Sequence, residues 1–133
     1  VFYVQYAHTR CFSILKIAKE NFNLDLKNIE DIKADLSLLE LKEEISIIKI
    51  ICSFDRTIKQ AALNFEPHKL CNFLYDLSKN LHNYWSVGSN DKEKKVLTDN
   101  LDLLKSRLTL IYVTKMVLKK GLKLLNISSP DTM

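Results

Sequence analysis

Glycine and proline are scarce in this chain of 133 residues, which contains only 2 of each. Sandwiches and barrels need many such residues at their turns, whereas helices joined by a few connections need few. No apolar run reaches the roughly 20 residues that a helix needs to cross a bilayer, and even the dense stretch from Ile45 to Ile51 contains Lys49. The sequence therefore favours a helical domain without a membrane-spanning segment.

Cysteine is also sparse, and its three positions, Cys11, Cys52 and Cys71, form no C-x-x-C pair. An odd number of cysteines without metal-ligand spacing predicts reduced, buried thiols in a cytosolic protein, rather than a disulfide or a zinc site. Cys71 has no candidate base at a characteristic spacing. A buried thiol is therefore predicted there, rather than a nucleophile.

Motifs of known catalytic chemistry are missing as well. The chain has no glycine-rich phosphate loop, no H-E-x-x-H and no G-x-S-x-G. Its three histidines are scattered: His68 is predicted to have a structural role in the first turn of a helix, and His82 suits partner contact and plain surface equally. The sequence thus identifies no catalytic residue and no metal site, and it favours a binding module.

The net charge of +4 suits a polyanionic partner, although many soluble domains carry as much. Four lysines crowd the end of the last predicted helix, where cations suit the helix dipole and also suit contact with a phosphate chain. They are Lys115, Lys119, Lys120 and Lys123. Charge alone is weak evidence for nucleic-acid binding.

Apolar residues recur at helical spacing in five segments. These are residues 1–21, 38–53, 55–64, a helix from Glu66 to about Trp85, and a helix from 98 or 99 to Asn126. Residues 21–35 and 87–100 are predicted to be surface loops, and Gly121 is predicted to permit a close approach by a neighbour. The chain opens mid-pattern and without Met, so residues 1–133 are expected to be one domain of a longer protein. The predicted fold is all-α, a helical bundle of about five helices.

Two helices carry more specific expectations. In the third, Ile58, Ala61, Ala62 and Phe65 are predicted to point inward. The fourth starts with Glu66 as its cap and Pro67 at its first position, where the missing N–H has no intrahelical partner. Its apolar stripe comprises Leu70, Phe73, Leu74, Leu77, Leu81 and Tyr84. A second stripe comprises Cys71, Tyr75, Ser78, His82 and Trp85, with Lys79 beside it. This helix has one face for a core and one face suited to binding.

Several blocks resemble the C-terminal anticodon-binding domain, the DALR domain, of class I arginyl-tRNA synthetases. Residues 3–10, YVQYAHTR, resemble the Y-V-Q-Y-A-H-A-R segment at the entry to that domain. Residues 66–77 are close to E-P-H-x-L-x-x-Y-L-Y-D-L, residues 106–110 match S-R-L-x-L, and residues 121–133 are close to G-L-x-L-L-G-I-x-x-P-E-x-M. These blocks occur in the same order as in the family and extend along the whole chain, so the resemblance is specific.

The resemblance implies a helical bundle that grips the anticodon stem and loop of tRNA(Arg) and helps to recognise the anticodon, chiefly its central cytosine. The complete enzyme of this family joins arginine to that tRNA with ATP and Mg²⁺ on a catalytic domain with H-I-G-H and K-M-S-K type motifs. Those motifs are absent here. The chain alone is therefore expected to be inactive and to use no cofactor. Its expected partners are the anticodon stem-loop and the catalytic domain of the same polypeptide, and a monomer is expected.

The resemblance also implies which residues contact the tRNA. They are Tyr6, Arg10, Tyr75, Trp85, Arg107 and Met133. Lys79 and His82, on or beside the second stripe of the same helix, are added as candidate contacts from their position. Aromatic side chains stack on unpaired loop bases, and cations bind phosphates. The residues themselves leave other roles open. Tyr75 also suits packing between helices, Arg107 suits an internal ion pair with Asp102 or another acid, and Met133 suits a disordered chain end.

Two other functions are compatible with the sequence. One is a helical protein-interaction module, in which the stripe from Tyr75 through His82 to Trp85 docks a partner helix. The other is the same type of domain in another synthetase, such as the β subunit of the glycyl enzyme. The block at residues 121–133 favours the arginyl family over the glycyl one.

Overall fold

The computed structural model describes residues 1–27 and 32–133, which include five α-helices with defined bounds and no strand. The helices are α1 (Phe2–Phe22), α2 (Lys42–Cys52), α3 (Phe54–Leu63), α4 (Pro67–Asn90) and α5 (Leu101–Leu124). Two short 3-10 turns, Leu36–Leu38 and Lys92–Lys94, lie in the connections. The all-α bundle is confirmed, and none of the described helices is long and apolar enough to cross a bilayer. Part of the predicted 21–35 loop, residues 28–31, lies outside the described residues.

Helix α4 forms the centre of the bundle, because it packs against α1, α2, α3 and α5, while α1 also packs along α5. The six residues of its predicted apolar stripe are all buried. They meet buried side chains of α1 and α5, such as Ile14, Leu108 and Ile111. Helical spacing of apolar residues therefore identified the face of α4 that forms the core.

The start of α4 agrees with the sequence in one respect and differs in another. Pro67 occupies the first helical position and Glu66 the cap, as predicted. The Glu66 carboxylate makes no capping hydrogen bond, however, and instead pairs with Lys69 Nζ at 2.6 Å. An ion pair across the first turn thus replaces the predicted interaction with backbone N–H groups.

The end of α4 lies further along the chain than predicted, because the helix continues through Gly88 to Asn90. The connection that follows crosses Gly88 closely: a Cβ atom there would lie 2.9 Å from Lys94 O and 3.0 Å from Lys95 Cα. The Asp91 carboxylate accepts the N–H of Glu93 at 3.0 Å, and Val96 is buried. The glycine therefore marks a close backbone approach inside a helix, and the prediction that the surface loop begins at residue 87 was wrong.

Gly121 of α5 serves the close approach that was predicted for it. A Cβ atom at Gly121 would lie 2.5 Å from Leu74 Cδ2, so the Leu74 side chain of α4 packs directly against the backbone of α5 at this glycine. Helix α5 ends at Leu124, and Asn126 turns the chain with a φ of 57°. Asparagine tolerates this left-handed conformation better than most residues do. Asn126 therefore ends the helix as predicted, directly after the cap at Leu125.

Other expectations about burial and about one helix boundary were wrong. Phe65 is 91% exposed with a φ of 54°, and Ala62 is exposed too, because residues 62–65 at the end of α3 lie at the surface. Cys11 is buried as predicted, but Cys52 and Cys71 are exposed. Helix α2 begins at Lys42 rather than at residue 38, because the 3-10 turn at Leu36–Leu38 precedes it.

Candidate nucleic-acid interface

An exposed group of aromatic side chains lies where α1 crosses α4. Tyr3, Tyr6 and Arg10 follow one another at spacings of three and four residues, which places them on one face of α1. Tyr75 and His82 are two turns apart on α4 and face them. We call these five residues the aromatic cluster.

The rings of the aromatic cluster contact one another directly. Tyr3 lies between two partners, with its ring centre 5.2 Å from that of Tyr75 and 4.9 Å from that of His82. The Tyr6 ring stacks on His82 with centres 5.6 Å apart and planes at 27°. These separations are those of favourable aromatic pairs. The rings therefore support one another across the two helices.

Arg10 ties the two helices together. Its Nη1 donates to His82 Nδ1 at 2.9 Å, its Nη2 donates to Tyr6 Oη at 3.2 Å, and its guanidinium carbon lies 5.0 Å from the centre of the Tyr6 ring. A guanidinium only donates hydrogen bonds, so His82 Nδ1 must accept and the ring proton must sit on Nε2. Burial lowers the pKa of His82, and the positive charge of Arg10 lowers that pKa further. The imidazole is thus neutral at pH 7.

Part of each tyrosine ring in the cluster remains open to solvent. Tyr75 is 53% exposed, Tyr6 47% and Tyr3 39%. Lys79, between Tyr75 and His82 on α4, is exposed beside them. Open π-faces next to cations are the elements from which single-stranded nucleic-acid sites are built. The arrangement can stack planar groups and attract negative charge.

Trp85 lies one turn beyond His82 on α4, but it is half-buried and packs against the core. Among the described residues, its ring pairs with no member of the aromatic cluster. Trp85 is therefore not part of the aromatic cluster. Tyr3 contributes instead, although the sequence did not indicate it as a candidate contact. Its spacing from Tyr6 and Arg10 was the signal that could have found it.

Arg107 is not at the surface, in contrast to its predicted contact with tRNA. The side chain is 3% exposed, and its Nε donates to Glu44 Oε1 at 2.7 Å, with Glu44 fully buried. Tyr84 Oη donates to the same carboxylate oxygen at 2.7 Å. The internal ion pair left open by the sequence is present, but its partner is Glu44 and not Asp102. The guanidinium is fully engaged inside the bundle and is unavailable to a ligand.

The C-terminal segment, residues 127–133, lies along α1. Gln5 Nε2 donates to Ser128 O at 2.8 Å, and His8 Nδ1 lies 3.0 Å from Pro130 O. His8 is 1% exposed, and burial lowers the pKa of its imidazole, so the neutral ring donates from Nδ1. Met133 is 62% exposed at the end of this segment. Among the described residues, no hydrogen bond joins Met133 to the aromatic cluster.

The described residues contain no group of three or more His, Cys, Asp or Glu side chains that could hold a metal ion. The side chains of the aromatic cluster themselves offer ring faces for stacking, hydrogen-bonding groups and the positive charge of Arg10.

The DALR anticodon binding domain family matches residues 4–133, and the chain belongs to this family of anticodon-binding domains. Among its relatives are arginine–tRNA ligases that align with the entire chain. The enzyme from Agrobacterium fabrum is 40% identical over 134 residues, that from Orientia tsutsugamushi 38% over 135, and that from Rickettsia felis 37% over 134. The chain spans 23% of the length of each of these relatives. The resemblance to the arginyl family seen in the sequence is confirmed.

Proposed function

We propose that this chain is the anticodon-binding domain of an arginine–tRNA ligase and that it binds the anticodon stem and loop of tRNA(Arg). The observation that carries the proposal is the exposed aromatic cluster on a domain of the DALR family. The longer enzyme would attach arginine to tRNA with ATP and Mg²⁺ in the cytosol. Its catalytic domain would adjoin this one in the same polypeptide, and the enzyme would act as a monomer.

Stacking is the first contribution that we infer for the aromatic cluster. Bases of a tRNA loop can leave the helical stack and lie on tyrosine faces, each stack contributing roughly 1–3 kcal/mol. The faces of Tyr6 and Tyr75 are about half exposed and are held by Tyr3 and His82 from behind. Because the rings are already ordered, little side-chain entropy is lost when a base binds. Preorganisation thus favours Tyr6 and Tyr75 as the stacking residues.

Charge is the second contribution. Lys79 is exposed beside the rings, and the guanidinium of Arg10 is fixed within the cluster. Cations at the loop would replace counterions on the phosphates, so the affinity should fall as salt is raised. Arg10 also keeps Tyr6 and His82 in place, so we assign it both roles. Trp85 packs against the core and Arg107 is buried, so neither is assigned a contact with the RNA here.

The test is a titration of the chain with a fluorescent tRNA(Arg) anticodon stem-loop and with a variant of its central base. Tyr75→Ala should weaken binding by about 5–150-fold, the equivalent of one lost stack. Met116→Ala is the matched control, since Met116 has the same 53% exposure on α5 and lies outside the cluster. It should leave the affinity within about twofold.

Two results would count against the proposal. Equal effects of Tyr75→Ala and Met116→Ala would show that the cluster does not bind the loop. Binding that does not change with salt concentration or with the identity of the central base would favour the alternative of a protein-interaction module.

A separate assay tests the inference that the reaction requires a domain beyond these 133 residues. A purified chain that charges tRNA with arginine would contradict that inference.

A further inference from the structure

His82 of α4 is the member of the aromatic cluster that joins the side chains of α1 to α4. Its imidazole centre lies 4.9 Å from the centre of the Tyr3 ring and 5.6 Å from that of the Tyr6 ring. Its Nδ1 accepts a hydrogen bond from Arg10 Nη1 at 2.9 Å. Three side chains of α1 therefore contact one imidazole, and their arrangement depends on the state of that ring.

Both ring nitrogens of His82 are shielded from a ligand. Nδ1 is engaged by Arg10. Nε2 is buried and has no hydrogen-bond partner of good geometry in the part of the chain that the structure describes. A nucleic acid at this surface would thus meet the open tyrosine faces rather than the imidazole nitrogens. The position of His82 suits support of the aromatic cluster, not contact with RNA.

The hydrogen bond from Arg10 requires a neutral imidazole. A guanidinium has only donors, and a protonated imidazole carries N–H groups on both nitrogens. A proton on His82 would therefore set N–H against N–H at the 2.9 Å contact and bring two positive charges together. The other titratable groups around the ring are the phenols of Tyr3 and Tyr6 and, one turn earlier on α4, Lys79. Within the described residues no ion pair joins His82 to an acid, so no carboxylate there would compensate for the added charge.

Loss of the Arg10–His82 bond would also affect Tyr6. Arg10 Nη2 donates to Tyr6 Oη at 3.2 Å, and its guanidinium carbon lies 5.0 Å from the centre of the Tyr6 ring. A guanidinium repelled by His82 would leave Tyr6 without these two contacts. The Tyr6 face would then lose part of the preorganisation that favours stacking of a base.

We propose that His82 is a positioning residue of the RNA-binding surface: its neutral imidazole holds Arg10 and, through Arg10, the ring of Tyr6, and a proton on the imidazole weakens binding of the anticodon loop. This inference rests on the proposed function. A histidine that contacted phosphates directly would gain positive charge in acid and would bind RNA more tightly. The direction of the pH effect therefore distinguishes positioning from contact.

The surroundings of the ring determine where the pH effect begins. Burial lowers the pKa of His82 below the ordinary 6.5, and Arg10 lowers that pKa further, while the backbone of Tyr3 offsets part of the decrease. Binding should thus be constant at neutral pH and above. As the pH falls through the pKa of His82 in the unbound chain, the Kd should rise by up to about tenfold per pH unit, because one proton must leave when RNA binds.

Titrations with the fluorescent tRNA(Arg) anticodon stem-loop from about pH 8 to about pH 5, at constant ionic strength, test the proposal. The affinity of the original chain should fall in acid, as described above. His82→Asn places an amide oxygen near the position of Nδ1, where it can accept from Arg10 but cannot titrate, so the Kd of this variant should stay within about twofold over the range. His82→Phe keeps a ring but removes the acceptor, and it should bind weakly at every pH.

His68→Asn is the matched control, because His68 is an exposed histidine in the first turn of the same helix. It should retain the affinity and the pH profile of the original chain. Any effect of the buried His8 persists in His82→Asn, so the difference between the two profiles belongs to His82. Melting curves at each pH establish a temperature at which every variant is folded.

Nitrogen-15 NMR of the His82 ring gives a second readout. At neutral pH the ring proton should be found on Nε2. Because the proton and the RNA oppose each other, saturating stem-loop should lower the pKa of His82 further, by reciprocity of the coupling. A residue that only supports the fold would keep the same pKa with and without RNA, and that result would contradict the proposal.

The outcomes separate this inference from the proposed function. An affinity that is constant or rises in acid, while Tyr75→Ala weakens binding at about pH 8, would overturn the role of His82 and leave the proposed function standing. A pH profile of His82→Asn identical to that of the original chain would overturn it as well. If the stem-loop does not bind the original chain at any pH, the proposed function fails and this inference fails with it.

Discussion

Substituting alanine for Arg107 removes the guanidinium that neutralises Glu44 in the interior of the bundle. Arg107 Nε donates to Glu44 Oε1 at 2.7 Å. Its Nη1 donates to Lys95 O at 2.7 Å, and Nη1 and Nη2 both reach Glu93 O at 3.3 Å. The variant therefore leaves a carboxylate buried without its counter-charge and two backbone carbonyls of the α4–α5 connection without donors.

The expected loss follows from what remains around the carboxylate. Breaking a buried ion pair by removing one partner typically costs about 3–5 kcal/mol. Glu44 keeps the hydroxyl of Tyr84 at 2.7 Å and the N–H of Leu41 at 3.1 Å, which offset part of that cost. We expect the free energy of unfolding to fall by about 3 kcal/mol, which lowers the Tm by roughly 10–15 °C in a domain of this size.

Urea unfolding followed by circular dichroism at pH 7 measures this loss. Arg56→Ala is the matched control, because Arg56 is an exposed arginine in α3 and its removal should change stability by no more than about 0.5 kcal/mol. Tyr84→Phe removes one donor from the same carboxylate and should cost about 1–3 kcal/mol. An Arg107→Ala chain as stable as the Arg56→Ala chain would refute the assignment of Arg107 to the interior.

Two further predictions concern packing and thiol reactivity. Gly121→Ala should lower the urea midpoint of unfolding, because overpacking against Leu74 costs about 1–3 kcal/mol. The higher helix propensity of alanine offsets only about 1 kcal/mol of that cost. A variant more stable than the original chain would contradict the close approach of Leu74 to Gly121. Burial raises the pKa of Cys11 to about 12, so its thiol stays protonated at pH 8. Iodoacetamide should then modify the exposed Cys52 and Cys71 only, giving two adducts by mass spectrometry in the folded chain and three in denaturant. Three adducts in the folded chain would contradict the burial of Cys11.

The helices could be predicted from the sequence because apolar spacing reports directly on the face that is removed from water. Leu77 and Leu81 of α4 illustrate this, since both lie on the predicted stripe and both are fully buried. The end of α4 could not be predicted in this way. Glycine has a low helix propensity, so the local sequence at Gly88 favours a break in the helix. In the structure, the carbonyl of Lys94 in the following connection passes so close to Gly88 that a side chain would not fit there. Tertiary packing outweighed local preference there.

The candidate site was predictable in part. A stripe of Tyr75 and His82 beside an apolar face indicated a second use for α4, and the resemblance added Tyr6 and Arg10. The position of Arg107 was not predictable from local pattern, because the acid that neutralises it, Glu44, lies 63 residues away. An arginine on a helix suits a ligand contact and a buried ion pair equally well until its neighbours are known. Only the packing of α2 against α5 distinguishes the two roles.

Three sets of contacts involve the first turns of α1, and they limit how the proposed interface can respond to a ligand. Val4, Ala7 and Cys11 are in the core, Gln5, His8 and Thr9 hold the C-terminal segment, and Tyr3, Tyr6 and Arg10 form the cluster with α4. A rotation of α1 that improved one set of contacts would break the other two. We therefore expect that, in the proposed complex, the loop of the RNA adapts to the tyrosine faces, because a rotation of α1 would break these contacts. A single-stranded loop can change shape at lower cost than a helix fixed on three sides, which favours recognition of bases that have already left the stack.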